Sequence, residues 1–237
     1  MIRDSKAFII GLLMMLSFGV IYAYMMSPSF GDGRNGLEYA DDMFNSISKG
    51  SAYEIVLGEA AKADKWNGTA FDVEIKAKDQ AEAADWAKLY QTAGVNVAQS
   101  GEMLKISGDL GKVFAAIVVD SDAMYQNKGN ELQAKYGLDP RVATYGWYNS
   151  TKQVTRALDN QHNFPESLAI QSLQKKNIEP AYNYYGVESK PVGENKGVMT
   201  FMMVFYLFYT LWYGFAIYYL CQGLGITMNK SAKKAEA

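Results

Sequence analysis

Two long apolar runs without a charge, one near each end of the chain, constrain its architecture more than any other feature. The first extends from Ala7 to Met26 and the second from Val198 to about Ile226, and neither contains Asp, Glu, Lys, Arg or His. A hydrocarbon core of about 30 Å is crossed by about 20 helical residues, so each run is long enough to span a bilayer once. Averaging them with a polar middle yields a mean hydropathy of only −0.15, which conceals the pattern. A secretory signal is the competing reading of the first run. Its apolar stretch exceeds the usual ~7–15 residues, and Tyr24-Met25-Met26-Ser27-Pro28 offers no small-x-small cleavage site. The expectation is an uncleaved anchor.

Basic residues flank the runs on their terminal sides: Arg3 and Lys6 before the first, Lys230, Lys233 and Lys234 after the second. Short basic flanks stay in the cytoplasm, so both termini are expected inside and the middle outside an inner (cytoplasmic) membrane. The two tails together carry +3, which leaves the middle at −5 against −2 for the whole chain. An acidic exported stretch does not point to nucleic acid. The one cysteine, Cys221, lies in the second run, so the middle has no disulfide and no thiolate metal site.

The expected fold class is an α+β membrane protein, its two transmembrane helices flanking an extracytoplasmic domain. Its divisions are a cytoplasmic N-terminus (1–6), transmembrane helix (7–26), juxtamembrane helical region (27–69), α/β subdomain (70–126), helical region with linker (127–197), second transmembrane helix (198–226) and cytoplasmic tail (227–237). In the juxtamembrane region Leu37, Ala40, Met43, Phe44 and Ile47 recur at helical spacing, and Lys49-Gly50 are expected to close that helix before an apolar patch at 53–57. Phe71, Val73 and Ile75 then alternate with Asp72, Glu74 and Lys76, the period of a half-buried strand. Asp79 and Glu82 form a capping box for a helix through Trp86, Leu89 and Tyr90 to Gly94. Apolar residues on either side of Ser100-Gly101 predict a hairpin, and Asp109 caps a further helix. The order βαββα is three quarters of a ferredoxin-like sandwich. Beyond it a short helix at 130–136, a long one from Pro140 and another from Phe164 make a helical C-terminal half, followed by an aromatic segment at 180–186 and a polar linker at 187–196.

Candidate chemistry is sparse. Gly31-Asp32-Gly33-Arg34-Asn35-Gly36 fits Gly-x-Gly-x-x-Gly, but a dinucleotide site needs a strand before it, and here an apolar helix precedes. Asp32, Asn35, Asp41 and Asp42 carry oxygens suited to Ca²⁺ at a spacing foreign to an EF-hand, so a solvated cap is expected. Asp120-Ser121-Asp122 would suit a divalent metal at a strand end; on a helix the two acids become a solvated C-terminal turn. His162 is the single histidine, in a polar loop, with no nucleophile in a recognisable elbow to serve. No catalytic residue, metal ligand or cofactor is therefore expected.

The second membrane helix is crowded with aromatics, and Tyr206, Tyr209 and Tyr213 lie toward its middle at i, i+3 and i+7. Tyr normally enriches at membrane interfaces, where its hydroxyl reaches water. The first helix offers small residues at Gly11, Gly19 and Ala23, which permit close helix approach. These six form the expected contact with a partner helix. The leading functional expectation is a non-catalytic accessory subunit of a larger inner-membrane complex, of respiratory or transport type, docking its exported domain on other integral membrane subunits, with self-association left open. Two alternatives stand beside it: an extracytoplasmic ligand-binding or sensor module working through a membrane partner, and a membrane-anchored enzyme.

Overall fold

The computed structural model describes residues 2–226, apart from the side chains at 54–57 and 59–61. The basic tail residues Lys230, Lys233 and Lys234 lie outside this range. The chain forms two compact units: Met1–Phe44 with Pro191–Ala237, and Asn45–Lys190.

In the first unit, α1 (Ser5–Met25) and α9 (Val192–Leu224) are both long and apolar enough to cross a membrane. They run antiparallel: Arg3 and Asp4 donate to the Gly223 carbonyl at 2.8 and 3.1 Å, while Trp212 Nε1 donates to the Met14 carbonyl at 3.1 Å. Asp4 caps α1 through its side chain, accepting from the amides of Lys6 and Ala7. At the far end of α9, Gly225 takes the left-handed conformation (φ 74°), and the Ile226 amide returns to the Cys221 carbonyl. The expected linker at 187–196 is shorter than its composition implies, since α9 begins at Val192 and its polar first turn carries Glu194, where the helix dipole favours an acid.

The turn after α1 bends through Gly31, Asp32 and Gly33, all at positive φ. Asn35 then caps α2 (Gly36–Ala63), accepting from the Leu37 and Glu38 amides while Glu38 accepts from the Asn35 amide. This reciprocal box makes Gly31–Gly36 a helix entry. Lys49-Gly50 do not close the helix as expected; α2 passes through both, because Gly50 keeps a right-handed backbone and the Lys49 side chain is captured elsewhere in the fold. The apolar patch at 53–57 accordingly falls inside α2.

The second unit is built on three antiparallel strands, β1 (Ala70–Lys76), β2 (Asn96–Ser100) and β3 (Met103–Asp109), in the order β1-β3-β2. Val73 pairs with Ile106 and Val97 with the same Ile106 on the other side, which keeps the apolar faces in register. In β1, Phe71, Val73 and Ile75 are buried, while Asp72, Glu74 and Lys76 are exposed. The coarse expectation of a small sheet beside helices is thus met, whereas the ferredoxin-like sandwich is not established. Among the described residues no fourth strand pairs with β1; instead Gln161 donates to the Asp72 carbonyl at 2.8 Å.

Helices α3 (Gln80–Thr92), α4 (Leu110–Tyr125), α5 (Gly129–Tyr136), α6 (Pro140–Asn160), α7 (Phe164–Leu173) and α8 (Glu179–Tyr184) complete the unit. Asp79 and Asp109 cap α3 and α4 as expected. A wide five-residue turn, Gln174–Ile178, joins α7 to α8 without breaking the helical path, so the aromatic segment at 180–186 is largely helical. Gln174 there donates to Thr151 Oγ1 at 2.8 Å, pinning the turn to α6. The core gathers Trp86, Leu89 and Tyr90 of α3, Leu104 and Ile106 of β3, Ile117 of α4 and Trp147 of α6.

Candidate functional site

The six residues expected to meet a partner helix separate into two groups. A Cβ placed on Gly11 would come within 3.0 Å of the α9 backbone at Ala216, Tyr219 and Leu220, so Gly11 serves the contact between α1 and α9 themselves. Gly223, which sequence reading missed, does the same against the backbone of Phe8. Gly19 has open space around it and Ala23 is exposed. The cause is angular: at 3.6 residues per turn, positions 8 and 12 beyond Gly11 rotate about 80° and 120° away from its face.

The tyrosines divide likewise. Tyr209 lies half-buried under Phe18, the rings stacked at 4.2 Å, and Tyr213 approaches the same ring at 5.1 Å. Tyr206 points away, 71% exposed. Among the described residues none of the three hydroxyls has a hydrogen-bond partner, and that of Tyr209 is buried.

In the second unit the acids at 120 and 122 do not form the expected solvated turn. Asp120 is buried, and its carboxylate accepts from Trp147 Nε1 at 2.7 Å, Tyr136 Oη at 2.5 Å and Lys135 Nζ at 2.8 Å. Three donors from two helices satisfy the charge that burial would otherwise penalise. The neighbouring charge and the burial together push the Tyr136 hydroxyl well above its usual range, burial being the larger cause. Asp122 accepts from Tyr53 and Gln126. Among the described residues no three His, Cys, Asp or Glu side chains gather as a metal site. Asp32 and Asp42, offered as Ca²⁺ ligands, pair instead with Arg34 at 2.8 and 2.6 Å.

A second buried charge ties α2 to the chain beyond α8. Lys49 is buried with its ammonium among three oxygens: Val187 O at 2.6 Å, Tyr184 O at 3.1 Å and Asn127 Oδ1 at 3.1 Å. The Tyr125 ring closes the fourth side, its hydroxyl donating to the Lys49 carbonyl. Desolvation holds this lysine below its usual range. His162 sits at positive φ against Phe164, exposed at the loop tip.

Surface clefts supply the remaining candidates. Three tyrosines (Tyr145, Tyr148 and Tyr182) with Ile178 and Glu179 enclose about 220 Å³ beside the wide turn. A larger cleft of about 510 Å³ lies where the end of β1 meets α3 and α6, lined by Lys76, Lys78, Glu82, Trp86, Asn149, Lys152, Gln153 and Arg156. Its α6 residues recur at i, i+3, i+4 and i+7, one face of that helix. Trp86 is 2% exposed, and among the described residues its Nε1 has no acceptor.

The chain thus belongs to the class of two-helix candidate membrane proteins carrying a mostly helical domain with a small antiparallel sheet. No protein-family model, curated protein or solved structure matches it.

Proposed function

We propose that this protein is a non-catalytic accessory subunit of a larger inner-membrane complex, and that α9 is its contact with other integral membrane subunits. The hydroxyls on α9 carry this reading. Trp212 meets Met14 near the midpoint of α1, so Tyr206, six residues away, lies about 9 Å from that level. That is within the ~15 Å half-thickness of a hydrocarbon core. A phenol there has no water to bond and, among the described residues, finds no partner. Neighbouring helices are the available source of acceptors.

The energies suit a contact of moderate strength. Lipid gives no hydrophobic incentive for helices to associate, so ring packing and polar contacts of about 0.6–2 kcal/mol each must supply it. Tyr206, Phe201 and Phe208 present large exposed rings along α9. In this reading both termini are cytoplasmic, and the α/β domain docks on the partner's outer face.

Changing Tyr206, Tyr209 and Tyr213 together to Phe keeps every ring and removes only the hydroxyls. The variant is expected to reach the membrane at normal levels but to lose co-purifying subunits in mild detergent, as read by quantitative mass spectrometry. Full retention of those subunits would refute α9 as the contact.

A further inference from the structure

We propose that the cleft between the end of β1, the start of α3 and the outer face of α6 binds a phosphorylated small molecule. Lys76, Lys78, Lys152 and Arg156 converge on it, against the single acid Glu82. Residues 45–190 hold 16 Lys and Arg against 18 Asp and Glu, so the cleft reverses the charge of the unit that carries it. Glu82 is occupied: it accepts from the Lys78 amide at 2.7 Å and from Asn149 Nδ2 at 3.4 Å. Lys76 reaches Glu102 at 3.2 Å, whereas Lys78, Lys152 and Arg156 have no ion pair among the described residues. Cations gathered from separate elements repel one another until an anion joins them.

Trp86 lines the cleft, and among the described residues its buried Nε1 has no acceptor. Buried indole donors are ordinarily satisfied, as Trp147 is by Asp120. A ligand oxygen would complete Trp86 in the same way once the side chains that cover the N–H shift to admit it. Phosphate chemistry fits the donor set. A phosphomonoester carries about −1.5 to −2 at neutral pH and three acceptor oxygens, and the guanidinium of Arg156 can bind two of them at once. The cleft volume, about 510 Å³, exceeds what a bare phosphate fills, which leaves room for an organic group beside it.

The full chain in phosphatidylcholine nanodiscs is titrated calorimetrically with pyrophosphate at constant ionic strength. A second arm measures its binding to vesicles of phosphatidylcholine mixed with phosphatidylglycerol, since a lipid headgroup is the other source of the same chemistry. Saturable pyrophosphate binding is expected. It should weaken about tenfold or more in the Lys152→Ala/Arg156→Ala variant, whose side chains are exposed and leave the core intact. Trp86→Phe keeps the ring, loses only the N–H, and should weaken it about three- to tenfold. Binding confined to the anionic vesicles, with the same loss in both variants, supports the phosphate site and assigns its ligand to lipid. No binding in either arm overturns the proposal. So does an affinity untouched by the double substitution, or one that responds to charge but not to Trp86→Phe, which marks general surface attraction.

Discussion

The paired helices α1 and α9 and the α/β unit use the same apolar residue types in opposite ways. In the α/β unit the largest side chains are inside: Trp147, Tyr90, Leu104 and Ile106 are all at most 1% exposed. In the helix pair the buried positions are the smallest residues, Ala7, Gly11, Ala216 and Gly223, while Leu13, Val20 and Phe201 are each more than 60% exposed. Water drives the first arrangement, because burying a large apolar side chain is worth about 1.5–3 kcal/mol. Nothing equivalent acts between two helices in lipid, where small residues let backbones touch and dispersion and polar contacts do the rest. One sequence therefore carries two packing codes, and that of the helix pair is the kind suited to lipid.

The strongest way to break this comparison is Phe71→Asp. Removing a buried aromatic ring costs about 3–5 kcal/mol, and an unpaired buried carboxylate adds several more. The sum approaches the whole stability of a typical domain, about 5–15 kcal/mol. The α/β unit is expected to lose its near-ultraviolet dichroism and cooperative unfolding, while the chain still inserts into membranes. Retention of a cooperative transition would show that Phe71 does not anchor the core.

Gly11→Leu tests the other side. The new side chain collides with the α9 backbone at Leu220 and Ala216, which cannot rotate away as a side chain can. The two helices should move apart, seen as a longer distance between spin labels at Ser5 and Gln222, with the thermal midpoint of the α/β unit unchanged. An unchanged distance would mean that the pair does not depend on backbone contact.

The smallest expected effect is the response to alkali, confined to the α/β unit. Burial raises the hydroxyls of Tyr90, Tyr125 and Tyr136 above the ordinary 10.0. As pH rises past 10 the unfolded chain releases these protons while the folded chain keeps them, so stability falls. Lys49 acts the other way. Its folded value lies below 10.5, so the folded chain sheds the proton first and its contribution improves as pH approaches 10.5. Three groups oppose one, and the thermal midpoint should decline above pH 10. Tyr90→Phe removes one of the three and should make the decline shallower; an identical slope in the variant would exclude Tyr90 as a source.

Local signals carried much of the fold. The alternation from Phe71 to Lys76 marked β1, and Asp79 and Asp109 marked two helix starts, since a cap and its amides lie within three residues of each other. Lys49-Gly50 misled for a related reason. They have the local form of a helix stop, but Lys49 is held by oxygens 78 to 138 residues further on, and no neighbourhood pattern records that. The basic cleft was illegible in the same way: Lys78 and Lys152 are ordinary surface lysines until β1 and α6 place them side by side.

By itself the sequence determined where two bilayer-length helices begin and end to within about two turns, which strand residues face inward, and which acids cap helices. These depend on composition over about 20 residues, or on periods of two and 3.6. Tertiary structure alone decided that Gly11 meets α9 while Gly19 and Ala23 do not. It also decided that Asp120 lies buried among Trp147, Tyr136 and Lys135, and that Trp86, its N–H without an acceptor among the described residues, lines one cleft with Lys76, Lys78, Lys152 and Arg156. Each of those outcomes is set by the rotation of one helix against another element, and a rotation is fixed only when the whole interface packs.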